Sequence, residues 1–438
     1  MANIRKRGNT YQITVSLGRD VAGKKIIKTT TFKPPVGLTP KQERKEVEAY
    51  AFKFEEKAKN GLIYDGNKTT FYEFTVKWLE EYAKYQLEPT TISGYVHYLD
   101  KHIIPYFGHF KLTEIKPMHL QEFCITLMQD GIRTDGKSGG YSSSTVKKYH
   151  AVISTIMTTA YKWQMIESNP CERVKPPKQE DVQHIKHFTL EQADMFLKAL
   201  DLSYTSAYKE HTRISPNGNP YTVQTYTETR SIPTQFRVLF NMALFGGFRR
   251  GELVALTWDK ISFENSTVSI NSATGYANKK TYNKAPKTKG SVRTVTLPES
   301  VMKMLKEYKL EQEEQKNLLA DKWEGENYVF IQWNGKQMHL STPSHVFREV
   351  IEKYNATVPD EEKLPFIGLH GLRHTSATLL ISANADIKTV SARLGHSQAS
   401  TTLNIYCHSL KKQDEVCANT LDNLFHKNNE VKTEKKTG

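Results

Sequence analysis

The spacing of apolar residues changes along this chain, and the changes limit the folds that its 438 residues can adopt. Apolar and polar residues alternate from Tyr11 to Leu17, which predicts a strand, and a second alternating run covers residues 26–32 after a turn-rich segment. Apolar residues four and three apart between positions 47 and 58 then predict a helix. Residues 1–65 are therefore expected to form a small β-sheet-plus-helix domain.

The next segment, residues 66–172, has helical spacing throughout. Phe71, Phe74, Trp78 and Tyr82 fall on one helical face, and such a stripe is typical of a packed core. Further helices are predicted to begin near Pro89, at Pro117 and at Ser142–Ser144. This segment is expected to be an all-helical domain, and the proline-containing residues 173–182 are expected to be a linker.

Residues 183–425 form the largest predicted domain, mainly helical with a small β-sheet. A helix begins at Thr189, another begins at Gln235, and a β-rich stretch extends from Thr267 to Leu297. Residues 202–232 are polar, and we interpret them as an inserted loop or hairpin. The Lys/Glu/Asn-rich tail, residues 426–438, is expected to be disordered. The predicted fold class is multidomain α+β.

The charge of the chain favours a polyanionic partner. Lys and Arg number 61 against 47 Asp and Glu, which gives a net charge of +14. Residues 1–60 are the most basic part, with 14 Lys and Arg against 6 Asp and Glu. Phosphate contacts supply most of the sequence-independent affinity for nucleic acid, and a basic β-ribbon can enter a DNA groove. The alternative is a basic protein with a solvated charged face.

Cysteines and apolar runs indicate the compartment. Four cysteines, Cys124, Cys171, Cys407 and Cys417, are scattered without CxxC pairs, so neither a zinc site nor a disulfide framework is predicted. No apolar run approaches 18 residues, and no apolar segment follows the basic N-terminus. We expect a cytoplasmic protein that does not interact with membranes.

Polar residues near the C-terminus recur in an order that suggests chemistry. His370 and Arg373 are three residues apart on a predicted helix, so both can point at one target. Gly395 is a natural helix stop, which places His396 on the following turn. Tyr406 lies about one turn into the next short helix. A lone histidine or tyrosine is a weak signal, but these four polar groups within 37 residues are a stronger one.

A further arginine follows a double glycine. Gly246 and Gly247 predict a break, so that Arg249 begins a new helix near its positive end. The alternative for Arg249 is an ion pair with Glu252. For Arg250 we prefer this ion-pair role.

These motifs occur in the order found in a known family. The chain resembles the tyrosine recombinases, the integrases of phages and integrative elements, in five ordered boxes: Gly247-Phe-Arg249-Arg-Gly-Glu252-Leu, Pro286-Lys287-Thr-Lys-Gly-Ser-Val-Arg293, His370-x-x-Arg373, Leu394-Gly-His396, and Tyr406. The resemblance covers the whole large domain. The two upstream domains are similar in type to the arm-binding and core-binding DNA domains of the family. Residues 202–232 are a departure from its pattern.

The resemblance implies a site-specific recombinase that integrates and excises a mobile element or prophage. Tyr406 would attack a DNA phosphodiester and form a 3′-phosphotyrosine, so the bond energy is kept and no cofactor or metal ion is expected. Arg249 and Arg373 would clamp the non-bridging oxygens through guanidinium forks, and His396 would donate a further hydrogen bond.

Two proton transfers complete the implied reaction. A free tyrosine has a pKa of about 10, and His370 is the candidate base for Tyr406. Lys287 is the candidate acid for the leaving 5′-oxygen, ahead of Lys289 and Lys284. His374 and His408 are interpreted as structural or peripheral.

The expected partners are those of the family. They are double-stranded DNA at core and arm sites, three further copies of the chain in a tetramer on DNA, and an excisionase or DNA-bending host factor. The place of action would be the bacterial cytoplasm, at the nucleoid when bound to DNA. The alternatives are a Xer-like resolvase, a DNA-binding regulator without catalysis, and a metal-dependent nuclease, which would need clustered carboxylates.

Overall fold

A computed structural model describes residues 2–19, 23–59, 65–178, 186–215, 217–285, 291–395 and 422. The chain divides into two compact units, Met1–Val182 and Gln183–Gly438. The finer division of the first unit at residue 65 stays a prediction. Within the described ranges, no helix is both long and apolar enough to cross a membrane.

The N-terminal part of the first unit is a three-stranded sheet covered by a helix. Its elements are β1 Asn3–Arg7, β2 Thr10–Arg19, β3 Lys25–Phe32 and α1 Pro40–Lys59. The strands are antiparallel in the order β1-β2-β3. Ile13 and Val15 of β2 are buried with Val47, Ala51 and Ala58 of α1. The predicted hairpin and helix are confirmed, whereas the polar strand β1 has no apolar alternation that could have predicted it.

The rest of the first unit is helical. Its helices are α2 Phe71–Trp78, α3 Lys84–Gln86, α4 Pro89–Tyr98, α5 Ile104–Phe107, α6 Pro117–Met128 and α7 Ser143–Lys162. Helix α2 begins where the Thr70 hydroxyl accepts from the backbone N–H of Glu73. The buried Trp78 indole donates to the Thr159 hydroxyl at 3.0 Å, which joins α2 to α7. The predicted helical stripe therefore forms the core.

The second unit contains seven α-helices among its described residues, besides short 3-10 turns. They are α8 Leu190–Ala199, α9 Thr234–Gly246, α10 Arg250–Val254, α11 Glu299–Leu319, α12 Thr342–Asn355, α13 His370–Ser382 and α14 Ile387–Leu394. Phe196, Phe240 and Phe347 meet in its core from α8, α9 and α12, with ring centroids 5.1–6.0 Å apart. Aromatic pairs at such spacings stabilise a core beyond their buried area.

The polar insertion forms a hairpin within a hairpin. Its strands are β4 Ser203–Tyr208, β5 His211–Ile214, β6 Pro220–Val223 and β7 Tyr226–Ser231. Strand β4 pairs with β7, and β5 pairs with β6, both antiparallel. At the base, the buried Tyr204 hydroxyl donates to the carbonyl of Ala199 at 2.6 Å. The hairpin alternative for residues 202–232 is confirmed.

Two small sheets precede α11. One contains β8 Ile261–Ser262, β9 Thr267–Ile270 and β12 Arg293–Thr296, and the other pairs β10 Ala273–Ala277 with β11 Lys280–Lys284. The turn of the second sheet has Asn278 and Lys279 at φ +51° and +60°, as a two-residue hairpin turn requires. The chain is a multidomain α+β protein, as predicted.

Candidate active site

The site is built on the turn between α9 and α10. Gly247 ends α9 in the left-handed region, at φ +62°. A methyl group on Gly247 would lie 2.5 Å from the Leu394 side chain. Glycine is therefore needed both for the backbone conformation and for the space. The predicted break is confirmed, and it brings Arg249 to the start of α10.

Arg249 bonds to two different elements. Its Nη1 contacts Glu252 Oε1 at 2.8 Å, and its backbone N–H donates to Glu252 Oε2 at 2.8 Å. Its Nη2 donates to the carbonyl of Gly395 at 3.1 Å. About a third of the side chain, 36%, remains exposed. Arg249 thus makes the ion pair considered above and still presents part of its guanidinium to solvent.

Glu252 is buried beneath these groups, with 5% of its side chain exposed. Burial alone would raise the pKa of this carboxyl, but Arg293 and then Arg249 outweigh burial and lower it. Arg293 contacts both carboxylate oxygens, at 3.1 and 2.9 Å, and its side chain is 6% exposed. Arg293 belongs to one of the motifs that resemble the family, but no role was predicted for it. The available signal for its role was its place at the start of a predicted strand, Arg293–Leu297. An arginine that becomes buried in such a position needs a charged partner.

The end of α14 meets the same group of residues. Arg293 Nε donates to the carbonyl of Arg393 at 2.7 Å. Gly395 caps α14 at φ +67°, and a methyl group there would lie 3.0 Å from Arg293 Nη1. The predicted helix stop is confirmed.

Arg373 reaches the turn from α13. It is 2% exposed, and its Nη1 donates to the carbonyl of Gly247 at 2.7 Å. The Arg373 guanidinium is therefore held at the α9–α10 turn. Arg249 directly follows this turn, and its own guanidinium is held by Glu252 and Gly395. Their helices are far apart in sequence, and the fold brings them together.

His370 is the first residue of α13 and is exposed on one side. Its ring meets His374 edge to face, with centroids 4.8 Å apart. Desolvation by the surrounding protein, followed by the charges of Arg373 and Arg249, lowers the pKa of His370 below its ordinary value of 6.5. A lowered pKa keeps the ring neutral near neutral pH, as a proton acceptor requires.

Arg250 behaves differently from the expectation. Its Nη1 donates to the Ser344 hydroxyl at 2.9 Å, and the side chain is exposed. The ion pairs of Glu252 are made by Arg249 and Arg293. The preferred ion-pair role of Arg250 is wrong, because Arg250 follows the cap and turns toward α12 while Arg293 fills the place beside Glu252.

The β10–β11 hairpin is attached to α10. Gln337 Nε2 donates to the Val254 carbonyl at 3.0 Å and to the Thr274 hydroxyl at 2.8 Å. A methyl group on Gly251 would lie 2.7 Å from the Thr274 carbonyl oxygen, so helix and strand are in close contact. The hairpin, which ends in Lys284, and the helix that follows Arg249 form one block.

Three of the predicted catalytic residues lie outside the described residues: Lys287, His396 and Tyr406. The rival Lys289 and the peripheral His408 also lie outside them. In the described ranges, no group of three or more His, Cys, Asp or Glu side chains could hold a metal ion. The full catalytic set stays a prediction, of which the structure places Arg249, His370 and Arg373.

Comparison with known proteins identifies the family. The profile described as "Phage integrase family" matches residues 222–413, and "Phage integrase, N-terminal SAM-like domain" matches residues 70–128. This chain belongs to the phage integrase family of tyrosine recombinases. It is a DNA strand-transferring enzyme of the site-specific recombination class, as predicted.

Relatives of this integrase extend over nearly its whole length. The "Tyrosine recombinase XerC-like" of Caldanaerobacter subterraneus subsp. tengcongensis is 28% identical, over 95% of this chain and 96% of the relative. The "ICEBs1 integrase" of Bacillus subtilis is 24% identical, over 95% and 97%. Both similarities therefore extend over the two compact units of the chain.

Solved structures support the fold of the integrase. The Tn1549 transposon integrase in complex with transposon right end DNA matches with a TM-score of 0.60 and 19% identity, over 80% of this chain and 100% of that chain. The lambda integrase tetramer bound to a Holliday junction matches with a TM-score of 0.50 and 15% identity, over 91% and 96%.

Proposed function

We propose that this integrase cleaves DNA by attack of Tyr406 on a phosphodiester, which forms a 3′-phosphotyrosine and releases a 5′-hydroxyl. A second DNA end then attacks the phosphotyrosine and restores the phosphodiester. The observation that carries the proposal is that two backbone carbonyls hold the two guanidinium groups: Gly395, at the end of α14, binds Arg249, and Gly247, at the end of α9, binds Arg373. Two guanidinium groups held in this way can bind one phosphate.

The two arginines act on the charge of the transition state. Negative charge concentrates on the non-bridging oxygens of the phosphoryl group, and guanidinium forks stay charged at any working pH. Donors that are fixed in advance need no reorganisation during the reaction, and the loss of one typically costs about 3 kcal/mol of transition-state stabilisation. His396 follows Gly395 in the chain and is proposed as a third donor.

His370 is proposed to take the proton of Tyr406. The pKa of His370 lies below its ordinary value, so the neutral ring is available near neutral pH. Lys287 is proposed to give a proton to the leaving 5′-oxygen. The attachment of the β10–β11 hairpin to α10 supports a lysine from the hairpin or from the segment that follows it in the chain. Lys287 is preferred over Lys289 and Lys284 because Pro286-Lys287-Thr288 best fits the motif of the family.

The proposed substrate is double-stranded DNA with core and arm sites, and the biological outcome is integration and excision of a mobile element. The basic sheet of the first unit supports arm binding, since all residues of β1 are exposed and three of its five are Arg or Lys. The lambda integrase tetramer on a Holliday junction supports a homotetramer. An excisionase or a DNA-bending host factor and action in the bacterial cytoplasm complete the proposal.

Covalent trapping tests the nucleophile. A suicide substrate with a nick near the cleavage site loses a short fragment, so the protein–DNA adduct accumulates and can be measured on a denaturing gel. We expect Tyr406→Phe to form no adduct and to bind the same DNA normally. Tyr276→Phe, which changes an exposed tyrosine of β10, is the matched control and should form the adduct at the normal rate. An adduct with Tyr406→Phe would show that the nucleophile is another residue.

Leaving-group substitution tests the general acid. A 5′-bridging sulfur leaves without a proton, so it should restore cleavage to a variant that lacks the acid and to no other variant. We expect Lys287→Ala to be slow on normal DNA and restored on the sulfur-containing DNA. Lys289→Ala is the matched control. If Lys289→Ala alone is restored, the assignment moves to Lys289.

A further inference from the structure

Arg293 binds the Glu252 carboxylate, which in turn binds Arg249. From strand β12, the two terminal nitrogens of Arg293 contact the two carboxylate oxygens of Glu252 in α10. Arg249, at the start of α10, contacts the same carboxylate. Arg293 and Glu252 are 6% and 5% exposed. Water therefore cannot readily replace either partner, and the orientation of Glu252 depends on the two arginines.

The same guanidinium reaches a third element. Arg293 Nε donates to the Arg393 carbonyl near the end of α14, and Arg249 Nη2 donates to the Gly395 carbonyl two residues later. The end of α14 is thus held by one arginine that faces the interior and one that is partly exposed. His396 follows Gly395 directly in sequence, so Arg293 contacts the helix end that leads into it.

Stability alone is a weak explanation for such a pair. Buried ion pairs often contribute little to folding, because removing two charges from water offsets their attraction. Their geometry is nevertheless specific, since a guanidinium fork fits both oxygens of one carboxylate in a single plane. The pair is therefore suited to fixing the orientation of the Glu252 carboxylate. Because Glu252 also binds Arg249, its orientation would determine where the exposed part of the Arg249 guanidinium points.

We propose that Arg293 is a positioning residue for DNA cleavage, which orients Glu252 and the end of α14 so that Arg249 faces the scissile phosphate. Arg293 itself does not touch the substrate. This inference rests on the proposed function, in which Arg249 binds the phosphate. Without Arg293, Glu252 would lose the fork that contacts both of its oxygens, and the orientation that it gives to the Arg249 guanidinium would no longer be fixed.

The first experiment compares substitutions in the full-length protein by single-turnover adduct formation on the suicide substrate. Arg293→Met removes the fork, and Arg293→Lys keeps the charge without bidentate geometry. We expect Arg293→Met to slow cleavage on the order of a hundredfold, the loss that a small misplacement of a catalytic group can cause. Arg293→Lys should be intermediate, and both variants should bind DNA with the normal Kd.

The matched control is Arg237, which forms an arginine–carboxylate pair with Asp201 elsewhere in the same unit. Arg237→Met should leave the cleavage rate unchanged. Thermal unfolding of all variants separates misfolding from misplacement. If Arg293→Lys folds with the normal midpoint and cleaves at the normal rate, the inference is wrong.

A double-substitution cycle distinguishes positioning from a structural role. If Arg293 acts through Arg249, Arg293→Lys should have little further effect in an Arg249→Lys background, because coupled residues are not additive. Multiplicative losses would overturn the inference. A scissile methylphosphonate, which lacks one charged oxygen, should reduce the effects of both substitutions together. If Arg249→Lys does not slow cleavage of normal DNA, the proposed function fails; if only Arg293 has no effect, the inference alone fails.

Discussion

Arg250 affects the pKa of His370 although it takes no part in the ion pairs of Glu252. It donates to the neutral Ser344 hydroxyl, and its positive charge is close enough to His370 to affect the pKa of that ring. Desolvation, Arg373 and Arg249 have the larger effects on the pKa of His370, and Arg250 adds to the lowering. Arg250 is therefore a convenient position for testing the proposed base.

We predict that Arg250→Gln moves the acid limb of the cleavage pH profile to higher pH. His370 must be neutral to accept the Tyr406 proton, so the rate rises as pH increases through the pKa of His370. Removing a nearby cation raises that pKa toward its ordinary value of 6.5, and activity at low pH should fall. The measurement is the single-turnover adduct rate at a series of pH values.

Lys303→Gln is the control for this prediction, since it removes one positive charge from the exposed side of α11. Its pH profile should match that of the unchanged protein. An acid limb that stays in place with Arg250→Gln would contradict the role of His370 or the influence of Arg250 on it.

At the scale of elements, α10 and the β10–β11 hairpin depend on the absence of a side chain at Gly251. We predict that Gly251→Ala destabilises the second unit by about 1–3 kcal/mol, the usual range for overpacking. The added methyl group would lie 2.7 Å from the Thr274 carbonyl oxygen. Both backbone segments are held in place, since the Gly251 carbonyl accepts from the Ala255 N–H and Thr274 pairs with Asn283 across the hairpin. Chemical denaturation followed by tryptophan fluorescence measures the change.

The opposite result is expected at Gly94, within α4. A methyl group on Gly94 would meet nothing within 4 Å, and alanine is favoured over glycine in a helix by roughly 0.5–1 kcal/mol. Gly94→Ala should therefore be neutral or stabilising. Equal behaviour of the two variants would mean that the contact at Gly251 can relax.

The sequence predicted elements well where apolar spacing was strong. The stripe through Trp78, the helix after Thr189 and the helix that ends at Gly395 all have a regular period and a clear start or stop. Strand β1 was not predicted, because its exposed residues show no alternation of apolar and polar side chains. The four strands of the insertion could be expected only as a loop or hairpin, since cross-strand pairing is a non-local property.

The site was predictable in its residue types and less so in its contacts. Arg249, His370 and Arg373 were selected by their motifs, and the fold brings them close enough for both arginines to affect the pKa of His370. The ion-pair partners were harder to predict. Glu252 is three positions from Arg249 in sequence, whereas the second arginine that binds Glu252, Arg293, is 41 positions from it. Arg250 was assigned to the wrong partner for this reason.

At the scale of the whole molecule, the basic sheet and the active site lie in separate compact units. We predict that a protein lacking residues 1–65 cleaves the suicide substrate at the normal rate but recombines poorly at attachment sites with outlying arms. The reason is that the exposed basic strands would supply arm contacts and no catalytic group. Recombination of paired plasmids with and without arm sequences measures the effect.

The control for the deletion is a substrate that contains core sites alone. Both proteins should act on it equally, because arm contacts are absent from it. Equal recombination of arm-containing sites by the truncated protein would remove the arm-binding role. Loss of adduct formation would instead show that residues 1–65 are needed for cleavage itself.

The two left-handed glycines of the site, Gly247 and Gly395, have a consequence for the evolution of the enzyme. Gly247 lies two residues before Arg249, and Gly395 lies directly before His396. At each glycine, the positive φ and a neighbouring side chain both disfavour a Cβ atom. Most single-nucleotide changes in these codons would therefore be lost by selection, although neither position contributes a functional group. Both positions should therefore tolerate substitution poorly although they carry no chemistry, and a library designed to change target preference should leave both fixed.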